Sequence, residues 1–239
     1  MFTRPHHQRI AKVLESLDTD LLKRHNCLFA GGTAIALGYG EYRESVDIDF
    51  LVSDLASYRY LRNSVREQGL QVLMRGTDAR QLQTSDIRSD QYGIRTKVFV
   101  EGKPIKFEIV LEGRIALANP RKEDSILGVA TLTTLDMAAS KLLANSDRGM
   151  DMGMHCRDVI DLAMLNLSKS EFAEAAIKGE VAYSEAILKD LAKVIGMLGD
   201  ANGLLERCMK AMDVSVPRAL LWQNISKVKS YIANGVPNG

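Results

Sequence analysis

Residues 46–50 read Val-Asp-Ile-Asp-Phe, three apolar side chains alternating with two carboxylates. That period of two belongs to an extended strand, in which successive side chains take opposite faces. Val46, Ile48 and Phe50 are therefore expected in a core, and Asp47 and Asp49 together on the other face. Carboxylates this close repel each other, and the natural compensation is a hard divalent cation such as Mg²⁺, which takes carboxylate oxygens together with substrate phosphates.

The residues before this strand strengthen the reading. Gly31 and Gly32 follow the short apolar run Cys27-Leu28-Phe29-Ala30 and open a short helical stretch that Gly38 and Gly40 stop. Glycines there let backbone N–H groups approach a phosphate, with the partial positive charge of a helix N-terminus behind them. Thr33 offers a hydroxyl to the same phosphate, or else a helix cap. Downstream, Pro104–Glu112 alternates again: Ile105, Phe107, Ile109 and Leu111 share one face, and Lys106 and Glu108 the other. If the two strands are neighbours, Asp47, Asp49 and Glu108 converge as metal ligands for an in-line phosphoryl displacement.

Around these segments the pattern is mixed. Residues 8–24 carry a helical period, 54–68 form a helix ended by Gly69, and Leu70–Met74 is a strand candidate. Residues 93–112 read as two strands joined by Glu-Gly-Lys-Pro, and Ile126–Thr133 as a last strand. Thr133 with Asp136 fits a capping box. From there every apolar run is helical, with breaks expected near 149–154, 168–170, 199–203 and 213–217. The closing Asn-Gly-Val-Pro-Asn-Gly reads as a loose tail. The fold class is thus α+β: a mixed sheet with flanking helices, then a helical lobe.

The bulk numbers exclude little. The 239 residues are 46% hydrophobic with a net charge of +1, which makes no general case for nucleic-acid or membrane binding. Three widely spaced cysteines fit a reducing compartment better than a disulfide framework, and none pairs with His at zinc spacing. Without an apolar leader or a spanning stretch, the expected location is the cytoplasm. One basic region stands out: residues 57–97 hold eight Lys or Arg against four Asp or Glu, with Arg59, Arg62 and Arg66 on one helical face. An RNA-backbone footprint has this form, and so does a solvated helix face.

The stretch Gly31–Phe50 resembles the first motif of the AbiEii/AbiGii-type nucleotidyltransferases, toxins of prokaryotic toxin–antitoxin and phage-defence systems. That motif has a glycine pair, a Ser or Thr, and an R-x-S, here Arg43 and Ser45, before D-[IL]-D-F. A second block, residues 141–162, resembles the family's later motif through Lys141, Arg148, Arg157, Asp158 and Asp161. The resemblance implies a nucleotidyltransferase-like α/β domain over residues 1–132 and a helical C-terminal lobe over 133–239. It implies a Mg²⁺-dependent enzyme with Asp47, Asp49, Glu108, Lys141 and Asp158 as catalytic residues. Gly31, Gly32, Thr33, Arg43, Ser45, Lys141 and Arg157 would bind the nucleotide.

Lys141 and Arg148, seven apart, share a helical face, and the Lys141 ammonium is expected at the triphosphate. Asp158 and Asp161 would recognise a base, deprotonate an acceptor or orient Arg157; the alternative for the residues of this block is an inter-helix salt-bridge set. The third acid is Glu where the family more often has Asp, and residues 149–156 lengthen the second block. An NTP is the implied donor, RNA such as tRNA the suggested acceptor, and an antitoxin the expected partner. A nucleotide-binding protein without transfer activity and a small-molecule transferase of the aminoglycoside-modifying kind are the alternatives.

Overall fold

The computed structural model describes residues 2–76, 83–200 and 203–233. The chain divides into two compact units, one of residues 1–38 and 45–133, the other of residues 39–44 and 134–239. The short segment Tyr39–Glu44 thus belongs with the later helices although it lies early in the sequence.

The first unit is built on a mixed sheet. Its strands are β1 (Leu28–Ala30), β2 (Ile48–Val52), β3 (Gln83–Thr84), β4 (Arg88–Ser89), β5 (Gly93–Val100) and β6 (Lys103–Leu111), in the order β1-β2-β6-β5-β3, with β4 also on β5. β2 and β6 run parallel and the remaining pairs antiparallel. Ile48 and Phe50 of β2 and Ile105, Phe107 and Ile109 of β6 are buried on one face, where Phe50 packs between Phe29 and Phe107. The β5–β6 hairpin closes through Glu101 and Gly102, both at positive φ, the twist that a two-residue turn requires.

Helices complete this unit: α1 (Pro5–Ser16), α2 (Thr19–Arg24), α3 (Gly31–Gly38) and α4 (Leu55–Gln68). The helical period over 8–24 resolves into two helices because the Asp18 side chain accepts from the backbone N–H groups of Asp20 and Leu21 and starts a new one. Leu70–Leu73, expected as a strand, is a 3₁₀ turn that buries Leu70 and Leu73 three residues apart, a spacing an apolar run alone does not distinguish. The expected last strand is a small hairpin of β7 (Ser125–Ile126) and β8 (Val129–Ala130), since Leu127 and Gly128 both take positive φ and reverse the chain.

The second unit is helical: α5 (Thr134–Arg148), α6 (Arg157–Met164), α7 (Lys169–Tyr183), α8 (Ala186–Gly199), α9 (Leu204–Ala211) and α10 (Arg218–Ala233). α5 packs on α6, α7 and α8, and Leu142 and Leu143 of α5 and Ile187 and Leu191 of α8 are buried. Ser168 and Glu171 cap α7 reciprocally, and Asp136 ion-pairs with Lys178 of α7. A further break between α7 and α8, with Ser184 at positive φ, gave no sequence signal. The closing tail and the 77–82 part of the basic region lie outside the described residues.

Candidate active site

β2 begins at Ile48, so Asp47 stands immediately before the strand. The alternation read from sequence therefore holds from Ile48 onward and fails at Val46, which is 47% exposed. Hydrogen bonds other than the sheet ladder hold residues 45–47. The Thr33 hydroxyl lies 2.8 Å from Ser45 Oγ and 2.5 Å from the Asp47 carbonyl oxygen. His7 Nε2 accepts from the Ser45 N–H at 3.1 Å, and His6 Nε2 lies 2.9 Å from the Val46 carbonyl oxygen. His7 is fully buried. Its adjacency to the loop carries no sequence signature, since thirty-seven residues separate it from Ser45.

Asp49 is the register partner of Glu108 across the parallel β2–β6 pair, and both side chains are half-buried. The parallel pairing puts the two carboxylates on one face, as their alternation requires. α3 starts at Gly31, two residues before Thr33, and Gly31 has φ +72°. A Cβ at Gly31 would meet Asp49 Oδ2 at 2.5 Å, so the missing side chain is the space the Asp49 carboxylate occupies. Gly32 follows inside the first turn of α3.

Glu108 has cations on two sides. Its Oε2 accepts from Lys106 Nζ at 2.7 Å and its Oε1 lies 3.1 Å from Arg95 Nε. Among the described residues no three His, Cys, Asp or Glu side chains are gathered as a ready metal-binding cluster. The chemistry of the donor set still suits a hard cation: carboxylates at Asp47 and Asp49, and Glu108 on the next strand, bound at present to cations a metal would replace.

The residues of the second block form a buried ion-pair network within the helical unit. Lys141 Nζ lies 2.9 Å from Asp158 Oδ1 and 2.7 Å from Asp161 Oδ2, and Lys141 is only 4% exposed. Arg148 Nε and Nη2 donate to Asp158 at 2.8 and 3.0 Å. Arg43 donates through Nε and Nη2 to the two oxygens of Asp161 at 2.6 and 2.8 Å, a bidentate pair, and the Tyr42 hydroxyl adds a bond at 2.6 Å. Burial pushes both aspartates up. The Lys141 charge and the Arg148 hydrogen bonds nonetheless hold Asp158 well below the usual carboxylate range, and Lys141 and Arg43 do the same for Asp161. Arg157, the first residue of α6, immediately precedes Asp158 in sequence and is half-buried.

A glycine-opened helix beside paired strand carboxylates, on a mixed sheet followed by a helical lobe, is the arrangement of a nucleotidyltransferase-type fold. The sequence profile described as "Nucleotidyl transferase AbiEii toxin, Type IV TA system" matches residues 12–214, and the chain belongs to that family. Among solved structures, the chain is similar to JHP933 from Helicobacter pylori, at TM-score 0.56 and 17% identity, over 98% of this chain and 93% of that one. It is also similar to a protein described as a "putative nucleotidyltransferase" from H. pylori, at TM-score 0.50 and 18% identity, over 96% and 95% of the two chains. No curated protein matches the chain significantly. Among the described residues no helix is long and apolar enough to cross a membrane.

Proposed function

We propose that the protein transfers a nucleotide from an NTP to an acceptor, RNA by preference, as a toxin opposed by an antitoxin partner. The carrying observation is the register pairing of Asp49 with Glu108 beside Gly31, whose absent side chain makes room for the Asp49 carboxylate. Asp47, Asp49 and Glu108 would hold Mg²⁺, which when bound neutralises charge on the phosphates and on the attacking oxygen. The chain's own part is positional. Thr33, Ser45 and His7 fix the backbone that presents Asp47, and the N-terminus of α3 offers its N–H groups to phosphate. Lys106 and Arg95, now on Glu108, are cations close enough to follow an anionic ligand onto the same face.

The buried network of Lys141, Asp158, Asp161 and Arg43 supports a second role for the later motif. Its charges satisfy one another inside the helical unit, so it organises α5, α6 and the Tyr39–Glu44 segment. Arg148, whose side chain is 35% exposed, is the network cation most available to a ligand.

The test is incubation of the full chain with labelled NTPs, Mg²⁺ and either total RNA or aminoglycosides. Label in RNA, lost in Asp47→Asn with Asp49→Asn, supports the reading. Label in the small molecule, or transfer surviving in the double variant, overturns it. Nucleotide binding without transfer to any acceptor supports the catalytically inactive alternative.

A further inference from the structure

The open face of the first unit's sheet carries like charges directly opposite one another, strand after strand. Asp49 faces Glu108, Lys106 faces Lys97, and Arg95 faces Arg88 on one side and Glu108 on the other. Such pairs destabilise a sheet. Glu108 relieves part of the repulsion by bridging Arg95 and Lys106, and Asp90 Oδ2 lies 3.3 Å from Arg95 Nη1. Lys97 and Arg88, both exposed, make no ion pair among the described residues. The face is thus acidic at β2 and basic at β5 and β4.

We propose that this face binds the phosphate backbone of a single-stranded RNA end through Arg88, Arg95, Lys97 and Lys106, directing its terminal hydroxyl toward Asp49; this rests on the nucleotidyltransfer reading. The spacing favours an acceptor strand over the donor triphosphate. Lys97 stands two strand spacings from β2, about 10 Å, and Arg88 three, about 14 Å. About 14 Å spans some four nucleotides at the ~3.4 Å rise of a stacked strand, so one polynucleotide backbone can contact all four cations at once. The exposed cations assigned to this role lie on the sheet itself, on the face of the candidate acids. Repulsion between unsupported cations lowers stability, and a bound polyanion removes it.

The experiment compares the full-length protein with a Lys97→Gln, Arg88→Gln double variant, using anisotropy of a fluorescent single-stranded RNA and calorimetry of NTP binding. The variant should bind the RNA severalfold more weakly. Its slope of log affinity against log salt should be shallower by about 1.4, two contacts at about 0.7 each. NTP affinity should be unchanged and Tm equal or higher, because two like-charge pairs are removed. Unchanged RNA affinity and slope would overturn the proposal. So would a loss confined to NTP, which would make the face a donor subsite, or a lower Tm, which would make the cations structural. If the wild type labels RNA while the variant binds it equally well, this face is wrong and the transfer reading stands. If the expected RNA binding occurs but no acceptor is ever labelled, the transfer reading fails and the face stands.

Discussion

Gly31 and Asp49 are in contact in the one way only glycine permits: a Cβ at residue 31 would lie 2.5 Å from Asp49 Oδ2. Gly31 also has φ +72°, a left-handed conformation that costs an L-residue roughly 1–2 kcal/mol. Two penalties therefore act at one position, and they are separable.

Gly31→Ala should destabilise the protein by more than the backbone cost alone and should displace the Asp49 carboxylate. Adding Asp49→Ala to that variant should recover the steric part of the loss and leave the backbone part. Chemical denaturation of both single variants and the double variant gives the coupling. Purely additive effects would mean the two residues do not press on each other.

These two residues also show how far the sequence can be read. The alternation of Ile48, Asp49 and Phe50, and of Ile105 to Ile109, depends only on local period, so both strands and the shared face of Asp49 and Glu108 are legible. The failure at Val46 and Asp47 is non-local. Thr33, His6 and His7 take over the backbone there, and nothing within the pentapeptide encodes those partners. Short apolar runs misled for another reason: Leu70–Leu73 and the residues around Gly128 satisfy a strand pattern while turning the chain. The second motif was visible as residue types in order. That Lys141 is buried between Asp158 and Asp161 follows from helix packing, which spacing along one helix does not specify.

That network sets a pH expectation. Asp158 and Asp161 have folded-state pKa values lowered by Lys141, Arg148 and Arg43 against the opposing effect of burial. Groups depressed in this way contribute stability that is complete above the unfolded carboxylate value, about 3.9. The contribution is lost as pH falls below that value and through the folded pKa. Acid denaturation should accordingly sharpen below about pH 4, and Asp161→Asn should weaken that dependence. At neutral pH the same variant should lose about 3–5 kcal/mol, because Arg43 and part of Lys141 are left buried without their carboxylate. Urea denaturation at neutral and acid pH measures both. A neutral-pH loss under about 1 kcal/mol would show that Asp161 is not holding these cations.

Lys141 offers a matching test from the cationic side. Lys141→Met removes the charge shared by Asp158 and Asp161 while keeping much of the side-chain volume. Asp158 retains Arg148 and Asp161 retains Arg43, so the loss should be smaller than for Asp161→Asn. Calorimetry with NTP and Mg²⁺ then separates the roles. Weaker nucleotide binding with a modest fall in Tm would place Lys141 at the ligand, and unchanged binding with a lower Tm would confine it to the network.

His7, with His6, ties the first helix to the segment that leads into the candidate site. It is fully buried, and its Nε2 accepts the Ser45 N–H, while Thr33 holds Ser45 Oγ and the Asp47 carbonyl. Acceptance at Nε2 requires the lone pair to be free, so the proton of the neutral ring sits on Nδ1. His7→Ala leaves the Ser45 N–H without this partner and should cost about 1–3 kcal/mol, besides the cavity. A purely structural residue would stop there. A positioning residue should also loosen the presentation of Asp47, so the thermal stabilisation conferred by Mg²⁺ with NTP should shrink by more than the fall in basal Tm explains. His7→Gln, whose Oε1 is an acceptor, should restore part of both effects, whereas His7→Leu, which fills the space without accepting, should recover only the cavity part of the basal Tm and none of the ligand-induced stabilisation. Equal ligand-induced stabilisation in the Leu variant and the wild type would reduce His7 to a packing residue and leave the presentation of Asp47 to Thr33.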